Sequence, residues 1–504
     1  MTARERMSGV DTAWWRMDRA SNRMMIVAVL VFAGPMSVRR LRTTVRARLL
    51  RYRRFAQRVA EDASGYWWED DRDFDLARHV SRARLSGKCG PAELRRLAAR
   101  LAAKPLDPRH PLWEFTVVEN YGGRAALVAR IHHAIADGIA LVGVLLSLTD
   151  DAPHRPLHGA TRARRRAAPA ADDGGIEALL APVAQMLKGA VRLSGGALER
   201  SLQLLRHPAG ALDYARIATR VAEDVAALAT MPDDSPTRLR GQPGVHKVVA
   251  WSAPLPLVEV KAAGRALGCS VNDVLLSSVA GAIGGYLASK GDPVAGVEVR
   301  AMVPVNMRPP GAPDGLGNRF GLVPLVLPVG ITNPFRRLYD VHERMEALKG
   351  SYVAALSLGL LEVAGLLPAQ VQQEVVDLLA NKASAVMTNV PGPQSPLYLA
   401  GRRIDEMMFW VPQSGNIGVG VSILSYNGGV QFGLITDRRL VPDPERIVGR
   451  FRSEFETLLL ALLMEPWGAR RHPDAIERDL AAALRAARRR APPPGAAPDA
   501  GAPD

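Results

Sequence analysis

Residues 125–148 constrain the fold more tightly than any other stretch of the chain. Positions 125–131 form an apolar run of strand length, and 139–148 carry apolar residues at helical spacing. Between them lies Arg130-Ile131-His132-His133-Ala134-Ile135-Ala136-Asp137-Gly138, so a histidine pair stands where a strand hands over to a helix. Such a junction holds side chains on rigid backbone and points them into a crevice. A chain built around it is a mixed α/β protein.

A neutral imidazole at this junction is a general base near pH 7. Local chemistry also allows plainer roles. The histidines can cap the strand with satisfied hydrogen bonds, and Asp137 can be the N-cap of the following helix. Gly138 is read as the residue that tolerates the sharp backbone angles of the turn.

With 504 residues, 48% of them hydrophobic, the chain can bury two or more cores. The net charge of +15 favours anionic surfaces: lipid headgroups, phosphorylated cofactors or nucleic acid. Nucleic acid is the weakest of these, because aromatics make up only 5% and do not alternate with basic residues. Zinc-ligand spacing is absent, so no metal is expected, and Cys89 and Cys269 lie too far apart to build a disulfide framework. A reducing cytoplasm fits. The basic N-terminus is not followed by an apolar signal core, and the first apolar run, 24–33, is too short to span a bilayer. Neither secretion nor a transmembrane helix is expected.

Along the first lobe, 1–150, Asp11 precedes Trp14-Trp15 and reads as the cap of a first helix. A central strand follows at 24–32, then a helix at 38–51 whose basic outer face reads as solvated. Residues 66–80 read as two short strands joined by an acidic turn, 91–104 as a helix, and 115–119 as a strand. Trp113, just before it, reads locally as a packed core aromatic. In 151–240 the composition shifts: 153–173 is an Arg/Ala/Pro-rich linker, and 176–229 has the pattern of a helical crossover, with an amphipathic membrane-lying segment as the alternative.

The second lobe, 241–468, opens with a strand at 248–257 and a helix at 257–267. Asn272 or Asp273 reads as the N-cap of a helix running to Leu287. A strand at 297–305 exits through Arg308, which is placed to meet a carboxylate. Gly317-Asn318-Arg319-Phe320-Gly321 precedes another strand, 322–327. Asn333 caps a helix to Lys349, and 353–367 is a buried helix or one dipping a face into lipid. The strand at 385–390 ends in a Pro-Gly turn, and Asn427-Gly428-Gly429 turns a hairpin. A last helix covers 443–464, and 469–504 is an Arg/Ala/Pro-rich tail read as largely disordered.

At His132-His133-x-x-x-Asp137-Gly138 the chain resembles the bacterial wax ester synthase/diacylglycerol acyltransferase family. Pro111-Leu112-Trp113, Asn272-Asp273 and Asn389-Val390-Pro391-Gly392-Pro393 resemble further motifs of that family, in its order. Thr388 departs from it, standing where many members have serine. The resemblance implies two lobes like those of condensation domains and chloramphenicol acetyltransferase, with a tunnel between them. It implies acyl transfer from acyl-CoA, a co-substrate rather than a resident cofactor, to diacylglycerol or a long-chain alcohol. His133 is expected as the base, without an acyl-enzyme, and His132 as an aid that orients the loop or contacts substrate. Asp137 would be structural and paired with Arg308. The other motif residues would line the tunnel, and contact with a membrane or lipid-droplet surface would be peripheral. Two other classes fit the same residues: a non-catalytic lipid-surface binder, and a condensation enzyme acting on a carrier-bound acyl group.

Overall fold

The computed structural model describes residues 4–153, 230–308, 316–349, 353–365, 372, 382–465 and a few positions between 473 and 485. The linker and crossover read at 153–229 and the tail beyond 485 lie almost wholly outside these residues. The first half runs β1 (Arg4–Arg6), α1 (Gly9–Arg16), β2 (Met25–Phe32), α2 (Val38–Arg48), β3 (Gln57–Asp62), β4 (Gly65–Asp70), α3 (Leu76–His79), β5 (Val80–Ala83), α4 (Pro91–Ala103), β6 (Trp113–Tyr121), β7 (Arg124–His132), α5 (Gly138–Leu148) and β8 (Thr149–Asp150). The second runs β9 (Lys247–Trp251), β10 (Leu255–Pro256), α6 (Leu257–Leu267), α7 (Val271–Ser289), β11 (Val299–Asn306), β12 (Phe320–Leu327), α8 (Pro334–Lys349), α9 (Val353–Ala364), β13 (Ala385–Pro391), β14 (Tyr398–Leu399), β15 (Arg402–Trp410), β16 (Val419–Tyr426), β17 (Gly429–Asp437) and α10 (Glu445–Met464).

Two seven-stranded sheets organise two lobes, with a small sheet of β1, β4 and β3 beside the first. The first lobe's order is β5-β6-β7-β2-β15-β14-β8, which puts β2 at the centre as its all-apolar sequence requires. The second lobe's order is β10-β17-β16-β13-β11-β12, with β9 also on β17. The lobes are not contiguous in sequence. β15 leaves the second half and pairs antiparallel with β2, from Ile404 against Phe32 to Trp410 against Val27. A boundary near residue 241 therefore divides the chain but not the fold. β2 is apolar on both faces, so its pattern demands neighbours without saying which segment supplies them.

Several local readings are corrected. Ser8, not Asp11, caps α1, and Asp11 is buried for another use. Ser270, not Asn272 or Asp273, caps α7; Asp273 is the third helical residue and its carboxylate accepts from the Ser270 N–H, closing a capping box. β4 pairs with β3, and Asp75 then caps the single turn α3, so the next strand starts only at Val80. The reason is local: Asp75 accepts from the Ala77 N–H, which bends the chain out of a strand. Asn333 caps α8 by accepting from the Phe335 and Arg336 N–H groups. Asn427 and Gly428 both take positive φ, the geometry a tight hairpin needs. Among the described helices only α7 is long and apolar enough to cross a membrane, and 78% of that stretch is buried in the second lobe.

Candidate active site

β7 ends at His132, beside the central strand of the first sheet, where His132 pairs with Met25 of β2. The next turn, Ala134-Ile135-Ala136, is sealed at 0% exposure, and α5 starts at Gly138. Four buried polar side chains then decide what the turn can do.

His132 receives the Ala134 N–H on Nδ1 at 3.1 Å. A backbone N–H can only donate, so Nδ1 is bare, the ring proton sits on Nε2, and the basic lone pair is already engaged. Burial lowers its pKa to about 3, so the ring stays neutral. His132 locks the turn and has no free lone pair to act as base.

His133 is held differently. Its Nδ1 lies 2.9 Å from Asn318 Oδ1. The Asn318 amide nitrogen donates to the His133 carbonyl at 2.8 Å and to Asp11 Oδ1 at 2.9 Å. Because that carbonyl can only accept, the amide cannot be turned round, and Oδ1 must receive a proton from Nδ1. Nε2 is left bare. Trp14 stacks on the imidazole at 4.1 Å, and Phe320 tilts against it at 5.4 Å. Burial lowers the His133 pKa to about 4, with the charge of Asp137 pulling the other way.

Asp137 is both things the sequence allowed. It caps α5 through the Ala140 N–H at 2.9 Å, and it takes a two-pronged pair from Arg308 at 3.0 and 2.7 Å. The Arg319 N–H supplies a fourth hydrogen bond at 2.9 Å. With its oxygens so occupied, and a side chain only 3% exposed, the carboxylate anchors the second lobe to the turn.

Gly138 is not in the left-handed region, and a Cβ there would meet nothing within 4 Å. The turn does not require glycine for its backbone angles. What Gly138 provides is space. It lines two cavities at once: one with His133, Asp137, Trp14, Thr388 and Asn389 on its wall, and one walled by apolar side chains of β2, β7 and α5. Val390 is the other residue they share.

The remaining motif residues divide. Asn389 and Val390 line the first cavity, and Val390, Gly392 and Pro393 the second, while Pro391 is exposed. Gly392 matters because a Cβ would strike the Ser425 carbonyl at 2.3 Å; the close approach is from a neighbouring strand rather than a ligand. Asn272 sits one layer out, its Oδ1 accepting from Asn389 Nδ2 at 2.5 Å, and Asp273 pairs with His342 at 2.8 Å. Pro111, Leu112 and Trp113 do not reach either cavity. Trp113 is fully buried, stacked on His79 at 4.5 Å and donating to the Phe55 carbonyl, and the Leu112 carbonyl accepts the His132 N–H at 2.9 Å. The triplet supports the histidine turn through the backbone. Reading the motifs missed Asn318, Trp14 and Phe320, which meet His133 only through folding, and Asp11, which braces Asn318; the one local signal was an asparagine between glycine and a strand entry.

Residues 7–275 match the wax ester synthase/diacylglycerol acyltransferase catalytic domain, and 316–459 match the WS/DGAT C-terminal domain. The chain belongs to this family. It is therefore an acyltransferase, and His133 and Asp137 lie within the residues that match the catalytic domain. A curated relative, the "probable diacyglycerol O-acyltransferase tgs1" of Mycobacterium tuberculosis (strain H37Rv), is 30% identical over 411 residues, covering 77% of this chain and 81% of the relative. Among solved structures, the wax ester synthase/diacylglycerol acyltransferase from Marinobacter aquaeolei VT8 superposes with a TM-score of 0.64 at 18% identity, over 91% of this chain and 100% of that one. The first condensation domain of the calcium-dependent antibiotic synthetase gives 0.55 at 17% identity, over 93% and 98%. At these identities the two structures share the fold.

Proposed function

We propose that this acyltransferase moves a fatty acyl group from coenzyme A to diacylglycerol, with His133 Nε2 as general base. The observation that carries the reading is a neutral imidazole whose Nδ1 is tied down, leaving a bare Nε2 on the wall of an apolar cavity. In the reaction the acceptor hydroxyl gives its proton to Nε2 as its oxygen attacks the thioester carbonyl. The tetrahedral adduct collapses, the carbon–sulfur bond breaks, and the departing thiolate takes the proton back from Nε2. Among the described residues no serine or cysteine side chain is hydrogen bonded to His133, which supports direct transfer without an acyl-enzyme. His132 acts as a positioning residue.

The cavity walled by apolar side chains of β2, β7 and α5 suits the acyl chain, and the cavity bearing His133 suits the acceptor. Diacylglycerol is favoured as acceptor by the relative's name. No metal or redox cofactor is invoked. Peripheral contact with a membrane or lipid-droplet surface belongs to the same proposal, supported by the +15 charge and by exposed Leu460, Leu463 and Met464 at the end of α10. The test is thiol release from palmitoyl-CoA with diacylglycerol, with hexadecanol, and with neither, for wild type and His133→Ala. Release that depends on diacylglycerol and is lost in the variant is expected. A preference for hexadecanol makes the protein a wax ester synthase. Release unchanged by His133→Ala overturns the assignment of the base, and no release with either acceptor overturns acyl-CoA transfer in favour of a lipid binder or a carrier-dependent enzyme.

A further inference from the structure

Every group that sets the state of His133 apart from its own turn comes from elsewhere in the fold. Asp11 and Trp14 lie on α1, and Asn318 lies in the second lobe at the entry to β12. We propose that Asn318, braced by Asp11, is the positioning residue that keeps the His133 proton on Nδ1, so that Nε2 becomes a base only when the two lobes are docked. This rests on His133 serving as the base.

The geometry leaves Asn318 little freedom. Its three polar contacts use both amide protons and the carbonyl oxygen, and the residue is only 7% exposed. The neighbouring Arg319 N–H and Arg308 grip Asp137 from the same β11–β12 connection. One connection of the second lobe therefore holds both ends of the turn. Without Asn318, Nδ1 would be a buried donor lacking this partner, and the imidazole could rotate or move its proton to Nε2, where it cannot act as a base. The charged and titratable groups around the ring are Asp11 from α1, with Arg54 3.6 Å beyond it, Asp137 at the cap of α5 with Arg308 from the β11–β12 connection, and His132 from β7.

The test uses the full-length protein with Asn318→Ala, Asn318→Asp and His133→Ala. Two readouts are taken: kcat and KM against pH, and tryptophan fluorescence against pH, with Trp14→Phe as the subtraction. A protonated imidazole stacked on an indole quenches it, so the Trp14 signal reports the charge on His133 without turnover. Asn318→Ala is expected to lower kcat by about 10- to 100-fold while KM for palmitoyl-CoA moves less than about threefold. Asn318→Asp keeps an acceptor for Nδ1 but adds a carboxylate. It is expected to raise the acid limb of kcat/KM and the quenching midpoint together by about one pH unit or more. The buried Asp11 carboxyl, already held above its ordinary value by desolvation, can carry the proton that separates the two acids. The inference is overturned by Asn318→Ala with kcat within about twofold of wild type, or by Asn318→Asp with an unmoved quenching midpoint. If Asn318→Ala does not fold, the Asn318→Asp midpoint decides alone. Wild-type turnover by His133→Ala would instead overturn the base assignment, a distinct outcome, because the fluorescence shift does not depend on turnover.

Discussion

Cutting the Arg308–Asp137 pair should loosen the enzyme at its lobe junction. The carboxylate is almost fully buried and accepts four hydrogen bonds, two of them from Arg308. Arg308→Met removes those two and the guanidinium's bond to the Gly317 carbonyl, and leaves Asp137 with the Ala140 and Arg319 N–H groups. Stripping one partner from a buried ion pair costs about 3–5 kcal/mol, and the surviving backbone donors place this case near about 3. Asp137→Asn keeps the helix cap and strands a partly exposed arginine that water can reach, costing about 2 kcal/mol. If the pair acts as a unit, the double variant loses no more than about 3 kcal/mol, a coupling of about 2. Urea unfolding of the four proteins, compared at constant m-value, measures this; by heat the Arg308→Met loss corresponds to about 3–7 °C. Losses that add within about 0.5 kcal/mol would refute the idea that Arg308 and Asp137 hold the lobes together at the turn.

Three other outcomes follow from the same geometry. Gly138→Val should fold normally, because its Cβ meets open space, yet cut kcat/KM about tenfold or more for palmitoyl-CoA and less for butyryl-CoA; equal loss at every chain length would show that the cavities do not communicate there. Trp113→Phe should cost about 1–3 kcal/mol by stranding the Phe55 carbonyl while leaving KM for acyl-CoA unchanged, and a tenfold rise in KM would restore Trp113 as a substrate contact. Burial holds both histidines of the motif below the ordinary value of 6.5, so the unfolded chain binds more protons as the pH falls. Their contribution to stability is complete above about pH 6.5 and is lost towards about pH 4 and below; calorimetric Tm should fall in that window more steeply for wild type than for His132→Asn, and parallel curves would refute the shift at His132.

Much of the fold could be read from local pattern. β2, β7, β13, the β16–β17 hairpin and helices α4, α8 and α10 follow from apolar periodicity and turn chemistry, within a residue or two at their ends. β15 could not be assigned in this way, since Arg402–Trp410 carries charges at one end and apolar residues at the other, and its meaning depends on β2, more than 370 residues earlier. The motif residues were likewise visible as types but not as roles. Pro111-Leu112-Trp113 and Asn272-Asp273 look like site residues in sequence, yet the triplet supports the histidine turn through its backbone, Asp273 closes a capping box, and Asn272 holds the cavity-lining Asn389.

By itself the sequence determined the chemistry available at the turn: two imidazoles, a carboxylate and a glycine at a strand-to-helix junction. Adjacent histidines in a chain are equivalent until something hydrogen bonds to them. The turn itself engages His132, whose lone pair takes the Ala134 N–H two residues on; only the tertiary structure sets His133 apart, because Asn318 takes its Nδ1 proton and leaves Nε2 bare. Protonation state and tautomer are properties of a ring's surroundings, and here those surroundings arrive from α1 and from the second lobe.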